Sequence, residues 1–338
     1  MNKFIGPSIY LMTGLVFLVG ILFAGQAIFE KTYPFPKEIN YGVTFSPKYA
    51  RYLGIDWKEI FLKSLDELKV REYRISTQWD LVEKDKGKFD FQEVDYMLSE
   101  LEKRDARTIM VVGFRQPRWP ECHFPEWAKD LSISVRQDET LKYIEKVVQR
   151  YKDKKAIWAF QVENEPLLPF FGEDCPMADS KFLKKEVEKV RSMTDKTIIV
   201  TDSGEFGLFI TPMQLSDIFG TTLYRKTYDP IFKYKTYPIL PYLYNLKSFM
   251  ARNIFARNNQ KTIIVELQAE PWLSDAGLAG NPTKQAEFFP LKELQNIVLY
   301  AKKTGFNTQY LWGVEWWYWM SQNGHPEYLE YAKGLYKK

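Results

Sequence analysis

Two glutamates follow apolar, strand-like runs in this sequence, and a pair of glutamates can carry out acid–base and nucleophilic chemistry. Glu165 lies in the motif ENEP (163–166) after one such run, and Glu266 directly follows the run IIV (263–265). Glycoside hydrolysis needs such a pair: one carboxylic acid protonates the leaving oxygen, and one carboxylate attacks the sugar or activates water. We therefore take Glu165 and Glu266 as the candidate catalytic residues.

The elements that would position these glutamates are eight short β-branched or aromatic runs, which alternate with amphipathic helical stretches. Such alternation is typical of parallel βα units, and barrels of about 250 residues built from them are common. We therefore expect an α/β fold, a (β/α)₈ TIM barrel over residues 41–338. Active sites of such barrels collect at the C-terminal ends of the strands, so Glu165 and Glu266 would share one mouth. The predicted strands begin at Tyr41, Val70, Thr108, Ala156, Thr197, Asp217, Thr262 and Thr308.

The N-terminal residues 4–29 contain no charged side chain and include the apolar run LVFLVGILFAG. A bilayer core needs about 20 apolar residues, so this stretch is long enough to span a membrane. We therefore expect an N-terminal transmembrane helix in residues 1–30, which anchors the barrel to a membrane through the connector 31–40. A cleaved signal peptide is the alternative, because small residues at 25–27 could form a cleavage site. In either case the catalytic barrel would be extracytoplasmic.

The two cysteines, Cys122 and Cys175, follow the third and fourth predicted strands, whose loops are neighbours in a barrel. Since an exported domain lies in an oxidising compartment, we predict a disulfide between them, with two unrelated free thiols as the alternative. The only histidines are His123 and His325, which form no cluster with the cysteines in sequence, so we expect neither a metal site nor a cofactor. The 47 basic and 43 acidic residues include no long basic run, so a nucleic-acid partner is not expected.

These motifs give the barrel portion a resemblance to the clan A glycoside hydrolases, the superfamily that includes endoglucanases, β-galactosidases and β-mannanases. The likeness runs from about Tyr41 to the C-terminus. The sequence Asn164-Glu165-Pro166 matches the acid/base motif of that clan, which implies that Glu165 is the proton donor and that Asn164 binds the sugar 2-hydroxyl. Glu266, in IIVELQAEPW, matches the nucleophile. The resemblance therefore implies a retaining mechanism.

Three further residues match clan positions that bind substrate or support the nucleophile. Arg74, in the segment YRISTQWDLVEKDKGKFDF (73–91), is similar to the Arg that lies under the nucleophile. Tyr224, which closes the sixth predicted strand, corresponds to the Tyr that hydrogen-bonds the nucleophile. Trp316, on the eighth predicted strand, corresponds to a Trp that stacks on the sugar. Thr222 stands where endoglucanase-type relatives usually have a His, which speaks against the cellulase subgroup.

From these residues we expect a retaining glycoside hydrolase that cleaves O-glycosidic, β-linked bonds of a poly- or oligosaccharide by double displacement. A transglycosylase would use the same site, and a catalytically inactive carbohydrate-binding barrel would keep the aromatic cleft, so both remain alternatives. Glu163 and Glu270 are rival carboxylates, because each lies close in sequence to a preferred one. The expected partners are a carbohydrate substrate and the membrane, and no obligate protein partner is evident.

Overall fold

The computed structural model of the protein describes residues 20, 24–32, 35–169, 171–229, 233–256, 259–272 and 280–337. Eight parallel strands close into a barrel, in which the first strand pairs with both the second and the last. The predicted (β/α)₈ barrel is therefore confirmed. The barrel strands are β1 (Asn40–Phe45), β2 (Glu72–Ser76), β3 (Arg107–Val112), β4 (Ile157–Val162), β5 (Thr197–Asp202), β6 (Ile218–Leu223), β9 (Lys261–Gln268) and β10 (Thr308–Trp312). A separate hairpin consists of β7 (Lys226–Asp229) and β8 (Lys233–Thr236).

Helices cover the outside of the barrel and bury their apolar faces against the strands. The helices are α1 (Pro47–Tyr52), α2 (Trp57–Asp66), α3 (Trp79–Val82), α4 (Gln92–Glu102), α5 (Glu126–Lys129), α6 (Ile133–Tyr151), α7 (Ser180–Arg191), α8 (Ile210–Leu215), α9 (Pro241–Phe255), α10 (Pro282–Phe288), α11 (Leu291–Lys302), α12 (Val314–Gln322) and α13 (Glu327–Tyr336). Some begin at a carboxylate that accepts hydrogen bonds from the first free backbone amides, as Asp56 does for α2 and Asp179 for α7.

The barrel interior is closed by a layer of apolar side chains beneath the strand ends. The strands can be apolar on both faces because helices cover the outside and this layer fills the inside. The layer consists of Ile109, Ala159, Ile199, Ile263, Val265 and Tyr310.

A β-bulge in β9 sets the direction of Glu266. On the side of β6, Thr221 pairs with Ile264 and Thr222 pairs with Glu266, so Val265 is one residue in excess. The pairing with β10 shifts in the same stretch. Bulges are common beside active sites because the extra residue re-aims the side chains that follow it. This bulge explains how the consecutive residues Val265 and Glu266 both face the barrel interior.

The eighth βα unit differs from the sequence-based expectation. The strand predicted over TQYLWGVEWW, from Thr308, ends at Trp312, and Gly313 turns the chain directly into α12. Gly313 has a φ of +130°, which a residue with a side chain rarely adopts, and a Cβ there would lie 2.9 Å from the Cβ of Glu270. The second half of the predicted strand, from Val314 onward, is therefore helix, and the hairpin β7–β8 was not anticipated either.

The predicted membrane segment, residues 4–29, lies mostly outside the described residues. Its described part belongs to a helical stretch, 24–32, that packs on the start of α9. There the Gln26 side-chain oxygen accepts a hydrogen bond from the Tyr242 amide, and the rings of Phe29 and Tyr242 lie 6.2 Å apart. Among the residues described, none of the helices combines the length and the apolar character that crossing a bilayer requires.

Candidate active site

Glu266 lies at the mouth of the barrel and is held by two side chains from other strands. Arg74 of β2 donates from Nη1 to Glu266 Oε1 at 2.6 Å, and the hydroxyl of Tyr224, just after β6, donates to Oε2 at 3.0 Å. Glu266 and Arg74 are both buried, so their charge-assisted bond is shielded from water. The carboxylate is fixed at both oxygens and faces the centre of the mouth.

Arg74 connects three barrel strands across the interior. Besides its bond to Glu266, it donates from Nε to Gln161 Oε1 and from Nη2 to Asn164 Oδ1, both at 2.8 Å. The planar guanidinium can serve these three acceptors at once because its donors form a rigid fork. Asn164 is thereby oriented beside the nucleophile candidate.

Glu165 occupies the turn that follows β4 and adopts a left-handed backbone conformation, with a φ of +45°. Such conformations cost about 1–3 kcal/mol for a residue other than glycine and are concentrated at functional sites. The backbone amide of Glu165 donates to Thr201 Oγ1 at 2.9 Å, and the hydroxyl of Thr222 donates to Glu165 Oε1 at 3.0 Å. The strained turn therefore holds the carboxyl of Glu165 toward the barrel mouth.

The surroundings of Glu165 favour its protonated form. Burial raises its pKa well above the usual value for a glutamate, and the nearby carboxylates of Glu266, Glu121 and Glu205 raise it further. The hydrogen bond from Thr222 opposes this shift without reversing it. The surroundings of Glu165 thus favour its proton, whereas Glu266 is paired with a cation, which is the division of roles that a general acid and a nucleophile require.

The rival Glu163 points to the neighbouring loop. Its carboxylate accepts hydrogen bonds from the amides of Phe114 at 2.8 Å and Arg115 at 2.6 Å, and burial raises its pKa to about 7. Gly113 leaves room for this contact, because a Cβ at that position would lie 2.1 Å from Glu163 Oε1. Glu163 therefore fixes the loop after β3, and the geometry favours Glu165 as the acid.

The rival Glu270 belongs to a separate buried ion cluster. Arg118 forms a salt bridge to Glu270 and, at 3.2 Å, a second one to Glu315. The guanidinium of Arg118 also stacks on the rings of Tyr49 and Trp312, with its Cζ at 3.6 Å and 4.1 Å from the ring centres. Glu270 is thus neutralised by a cation that does not contact Glu266, so the geometry favours Glu266 as the nucleophile.

Sequence reasoning missed two carboxyls in the site, Glu121 and Glu205. Glu121 accepts a hydrogen bond from Asn164 Nδ2 at 3.1 Å, and burial together with the charge of Glu266 raises its pKa to about 8. Glu205 accepts from the Tyr224 amide at 2.9 Å. Both lie in long loops, after β3 and β5, and neither directly follows a predicted strand, which was the pattern that identified Glu165 and Glu266. The only sequence signal was that Glu121 directly precedes a cysteine predicted to fix its loop.

The predicted disulfide is confirmed: Cys122 and Cys175 are bonded, with their Cα atoms 5.4 Å apart. It joins the loops after β3 and β4, as the order of the strands suggested. The loop after β3 carries Glu121, and the loop after β4 begins with the turn that contains Glu165. The disulfide therefore joins two walls of the site. Within the described ranges, no cluster of His, Cys, Asp or Glu side chains is arranged to hold a metal ion.

The prediction that Trp316 stacks on a sugar at the mouth is wrong. Its side chain is fully buried in the helical layer, where its indole nitrogen donates to Gln285 Oε1 at 2.6 Å and its ring lies 4.7 Å from that of Tyr328. The reason is the turn at Gly313, which converts the end of the predicted strand into helix and carries the indole away from the mouth.

A different group of aromatic rings lies beside the catalytic pair. Trp272, after β9, packs edge-on against Tyr224 at 5.3 Å, and Phe171, after β4, lies 5.4 Å from Trp272. Trp119 continues this row and contacts Phe171 at 6.1 Å, with 60% of its surface exposed. Rings in such a row can stack on the C–H faces of sugars, which makes Trp272 and Trp119 better candidates for that role than Trp316.

A family model described as β-galactosidase, Glyco_hydro_42, matches residues 55–200 of the chain. These residues include β2, β3 and β4, and therefore Arg74, Asn164 and Glu165. No curated protein matches the sequence at a significant level.

Solved structures of several glycosidases share the fold. The β-galactosidase of the psychrophilic Marinomonas ef1 is 13% identical, with a TM-score of 0.54 over 81% of this chain and 54% of its own. An exo-β-1,4-mannosidase from an Opitutaceae bacterium is 14% identical, with a TM-score of 0.56 over 90% of this chain and 61% of its own. A GH5_18 protein from Bifidobacterium longum is 10% identical, with a TM-score of 0.56 over 82% of this chain and 70% of its own.

At these identities the structural matches establish the fold alone. The chain spans about half the length of the β-galactosidase and about three fifths of that of the mannosidase. The family match, in contrast, rests on the sequence and covers the acid/base motif. Together the family match and the closed parallel barrel confirm the predicted resemblance to the clan A glycoside hydrolases and support a glycoside hydrolase, without singling out a subfamily.

Proposed function

We propose that the protein is a retaining glycosidase that cleaves β-linked sugars by double displacement. The observation that carries this proposal is the contrast between two buried carboxyls in one mouth: Glu266 is bound by a guanidinium, and the pKa of Glu165 is raised by burial and by neighbouring carboxylates. A retaining glycosidase pairs a carboxyl whose surroundings favour its proton with a second carboxylate that attacks the sugar.

In the first step, Glu266 attacks the anomeric carbon while Glu165 gives its proton to the glycosidic oxygen, so the leaving alcohol departs and a glycosyl ester forms. In the second step, Glu165, now a carboxylate, takes a proton from water, which attacks the same carbon and releases the sugar and Glu266. Before the first step, Arg74 and Tyr224 hold the Glu266 carboxylate in place at 2.6 Å and 3.0 Å. Two inversions at one carbon retain the configuration.

The names of the matched proteins and the aromatic side chains of the site suggest which substrates to test. The matched family and two of the similar structures carry the names β-galactosidase and β-mannosidase, so β-linked hexosides are the first substrates to test. Trp272 and Tyr224 form an aromatic wall beside Glu266, which fits the apolar face of a pyranose.

The proposal is tested by assaying the full chain against aryl β-galactosides, mannosides, glucosides and the matching polysaccharides. Glu266→Gln should abolish turnover. Glu165→Ala should slow aryl glycosides with poor leaving groups by about 10²–10⁴-fold, and azide should restore turnover of activated ones by replacing water as the nucleophile. Glu188→Gln, on the exposed side of α7, is the matched control and should behave as the wild type. Full activity in Glu266→Gln would contradict the proposal.

Product analysis in the same assay separates hydrolysis from transglycosylation. A glycosidase releases free sugar in proportion to aglycone, whereas a transglycosylase releases aglycone in excess and needs an added sugar acceptor for full rate. A protein that binds these sugars yet turns none of them over would instead be a carbohydrate-binding barrel.

We also propose that the barrel lies outside the cytoplasm and is held to a membrane by its N-terminal apolar segment. The uncharged run 4–29 and the Cys122–Cys175 disulfide support this location, since disulfides persist in oxidising compartments. Protease added to intact cells should degrade the barrel, and alkaline carbonate should leave the chain in the membrane fraction. Release by carbonate would point to cleavage of the segment or to its loose attachment.

A further inference from the structure

Thr222 lies between two carboxyls, those of Glu165 and Glu205. Its hydroxyl is 3.0 Å from Glu165 Oε1 and 3.5 Å from Glu205 Oε2, and it accepts a hydrogen bond from the Gly204 amide at 3.1 Å. A hydroxyl has only one hydrogen, so Thr222 can donate to only one of the two carboxyls at a time. When Glu165 carries the catalytic proton it is the weaker acceptor of the two, so the Thr222 hydroxyl can turn to the Glu205 carboxylate.

The other oxygen of Glu205 is held by donors that favour its charged form. Glu205 Oε1 accepts from the Tyr224 amide at 2.9 Å and from the Tyr244 hydroxyl at 2.7 Å. Lys247 also faces this group; its ammonium donates to the carbonyls of Gly204 and Gly207 rather than to the carboxylate. Burial raises the pKa of Glu205, while these two donors and the charge of Lys247 oppose the rise.

Glu205 also connects to the nucleophile through one residue. The Tyr224 amide donates to Glu205, and the Tyr224 hydroxyl donates to Glu266 Oε2 at 3.0 Å. The remaining charged neighbours of Glu165 are Glu266 and Glu121, both carboxylic. Among the described residues, Glu205 is therefore the carboxyl that a hydroxyl, that of Thr222, links to Glu165.

We propose that Glu205 is a positioning residue that acts through Thr222 to keep the catalytic proton on Glu165 until the sugar is bound. This inference rests on the proposed glycosidase function. A carboxylate at Glu205 disfavours a second negative charge on Glu165 and takes the Thr222 hydrogen that would otherwise stabilise the Glu165 anion. After Glu165 has given up its proton, the hydroxyl of Thr222 turns to it, and the Glu165 carboxylate is ready to deprotonate water.

The test compares Glu205→Gln with the wild type over pH 4–10. The Gln side-chain oxygen can still accept from Tyr224 and Tyr244, so the variant removes the charge while keeping these contacts. Glu165 should then lose its proton at lower pH, and the alkaline limb of the kcat/KM profile should move down by about 0.5–1 pH unit. On that limb a phenyl glycoside should lose roughly 3–10-fold in kcat/KM at a given pH, because fewer molecules carry the proton.

The leaving group gives a readout that a purely structural role would not produce. A dinitrophenyl glycoside needs little acid assistance, so its kcat/KM should stay within about 2-fold of wild type in Glu205→Gln. Thr222→Val removes the hydrogen bond that stabilises the Glu165 anion, so with the phenyl substrate it should move the alkaline limb the opposite way, toward higher pH. Thr222→Ser, which keeps the hydroxyl, should retain the wild-type profile. Equal losses with both substrates, or an alkaline limb that coincides with that of the wild type, would overturn the inference.

A measurement independent of turnover separates this inference from the proposed function. Carbon-13 NMR of protein labelled at the glutamate carboxyl carbon follows the titration of Glu165 directly, with Glu165→Gln used to assign its signal. The Glu165 midpoint should fall by about 0.5–1 unit in Glu205→Gln. An unchanged midpoint refutes the role of Glu205 even in an active enzyme, whereas a shifted midpoint in a protein that hydrolyses no glycoside would leave the coupling standing and refute the glycosidase.

Discussion

Replacing Arg74 by Met tests how strongly the site depends on its buried cation. Arg74 is fully buried and donates to three acceptors, Glu266, Gln161 and Asn164. Removing one partner of a buried ion pair costs about 3–5 kcal/mol, because the remaining charge is left uncompensated. The two amide oxygens lose one donor each, which adds about 1 kcal/mol apiece. We therefore expect Arg74→Met to lower the free energy of unfolding by about 5–7 kcal/mol.

A double-mutant cycle isolates the share of the ion pair in this loss. In Glu266→Gln the acceptor charge is gone, so Arg74→Met on that background should cost about 2–3 kcal/mol less than in the wild type. The assay is urea denaturation at pH 7, monitored by tryptophan fluorescence, with the midpoint and slope fitted for all four proteins. Additive effects of the two substitutions within about 0.5 kcal/mol would refute the idea that Arg74 and Glu266 form a stabilising buried pair.

Three further outcomes follow from the same contacts. Burial raises the pKa of Glu121 to about 8, so this group stabilises the fold below pH 4.5 and loses that contribution as pH rises toward 8. Glu121→Gln should therefore flatten the decline of the urea midpoint between pH 4.5 and 8. A midpoint that declines with pH as steeply as in the wild type would contradict this. Trp316→Phe should cost about 1–3 kcal/mol of stability and leave KM unchanged, since the indole is buried. A raised KM would indicate that Trp316 contacts the substrate. Cys122→Ser/Cys175→Ser should lower stability by about 4 kcal/mol, because the crosslink closes a loop with a sequence separation of 53; equal melting with and without the bond would disprove this.

The barrel could be predicted from the sequence because its strands are short apolar runs separated by helices with clear polar faces. Each of the eight predicted strands has a counterpart in the structure, and the positions of Glu165 and Glu266 at one mouth follow from the rule that parallel strands end on the same face. Arg74 and Tyr224 came from resemblance, and the structure brings both to Glu266.

The features of the site that could not be predicted from the sequence depend on local backbone geometry. Strict alternation along β9 would have placed Glu266 outside the barrel, and only the bulge at Val265 turns it inward. Trp316 was misplaced because a glycine at position 313 can end a strand as readily as continue it, and its φ of +130° decides the matter. Glu121 and Glu205 lie in loops whose paths depend on long-range contacts, including the disulfide and the packing of Tyr244.

The central claim is that Glu266 becomes covalently bound to the sugar. Incubation with a 2-deoxy-2-fluoro-β-glycoside bearing a good leaving group should trap this ester, because the fluorine slows its hydrolysis more than its formation. Peptic digestion and tandem mass spectrometry should then place the sugar on Glu266 in the peptide spanning β9. Labelling of Glu270, Glu163 or Glu121 instead, or release of the leaving group with no adduct in an enzyme that inverts the anomeric centre, would contradict the account.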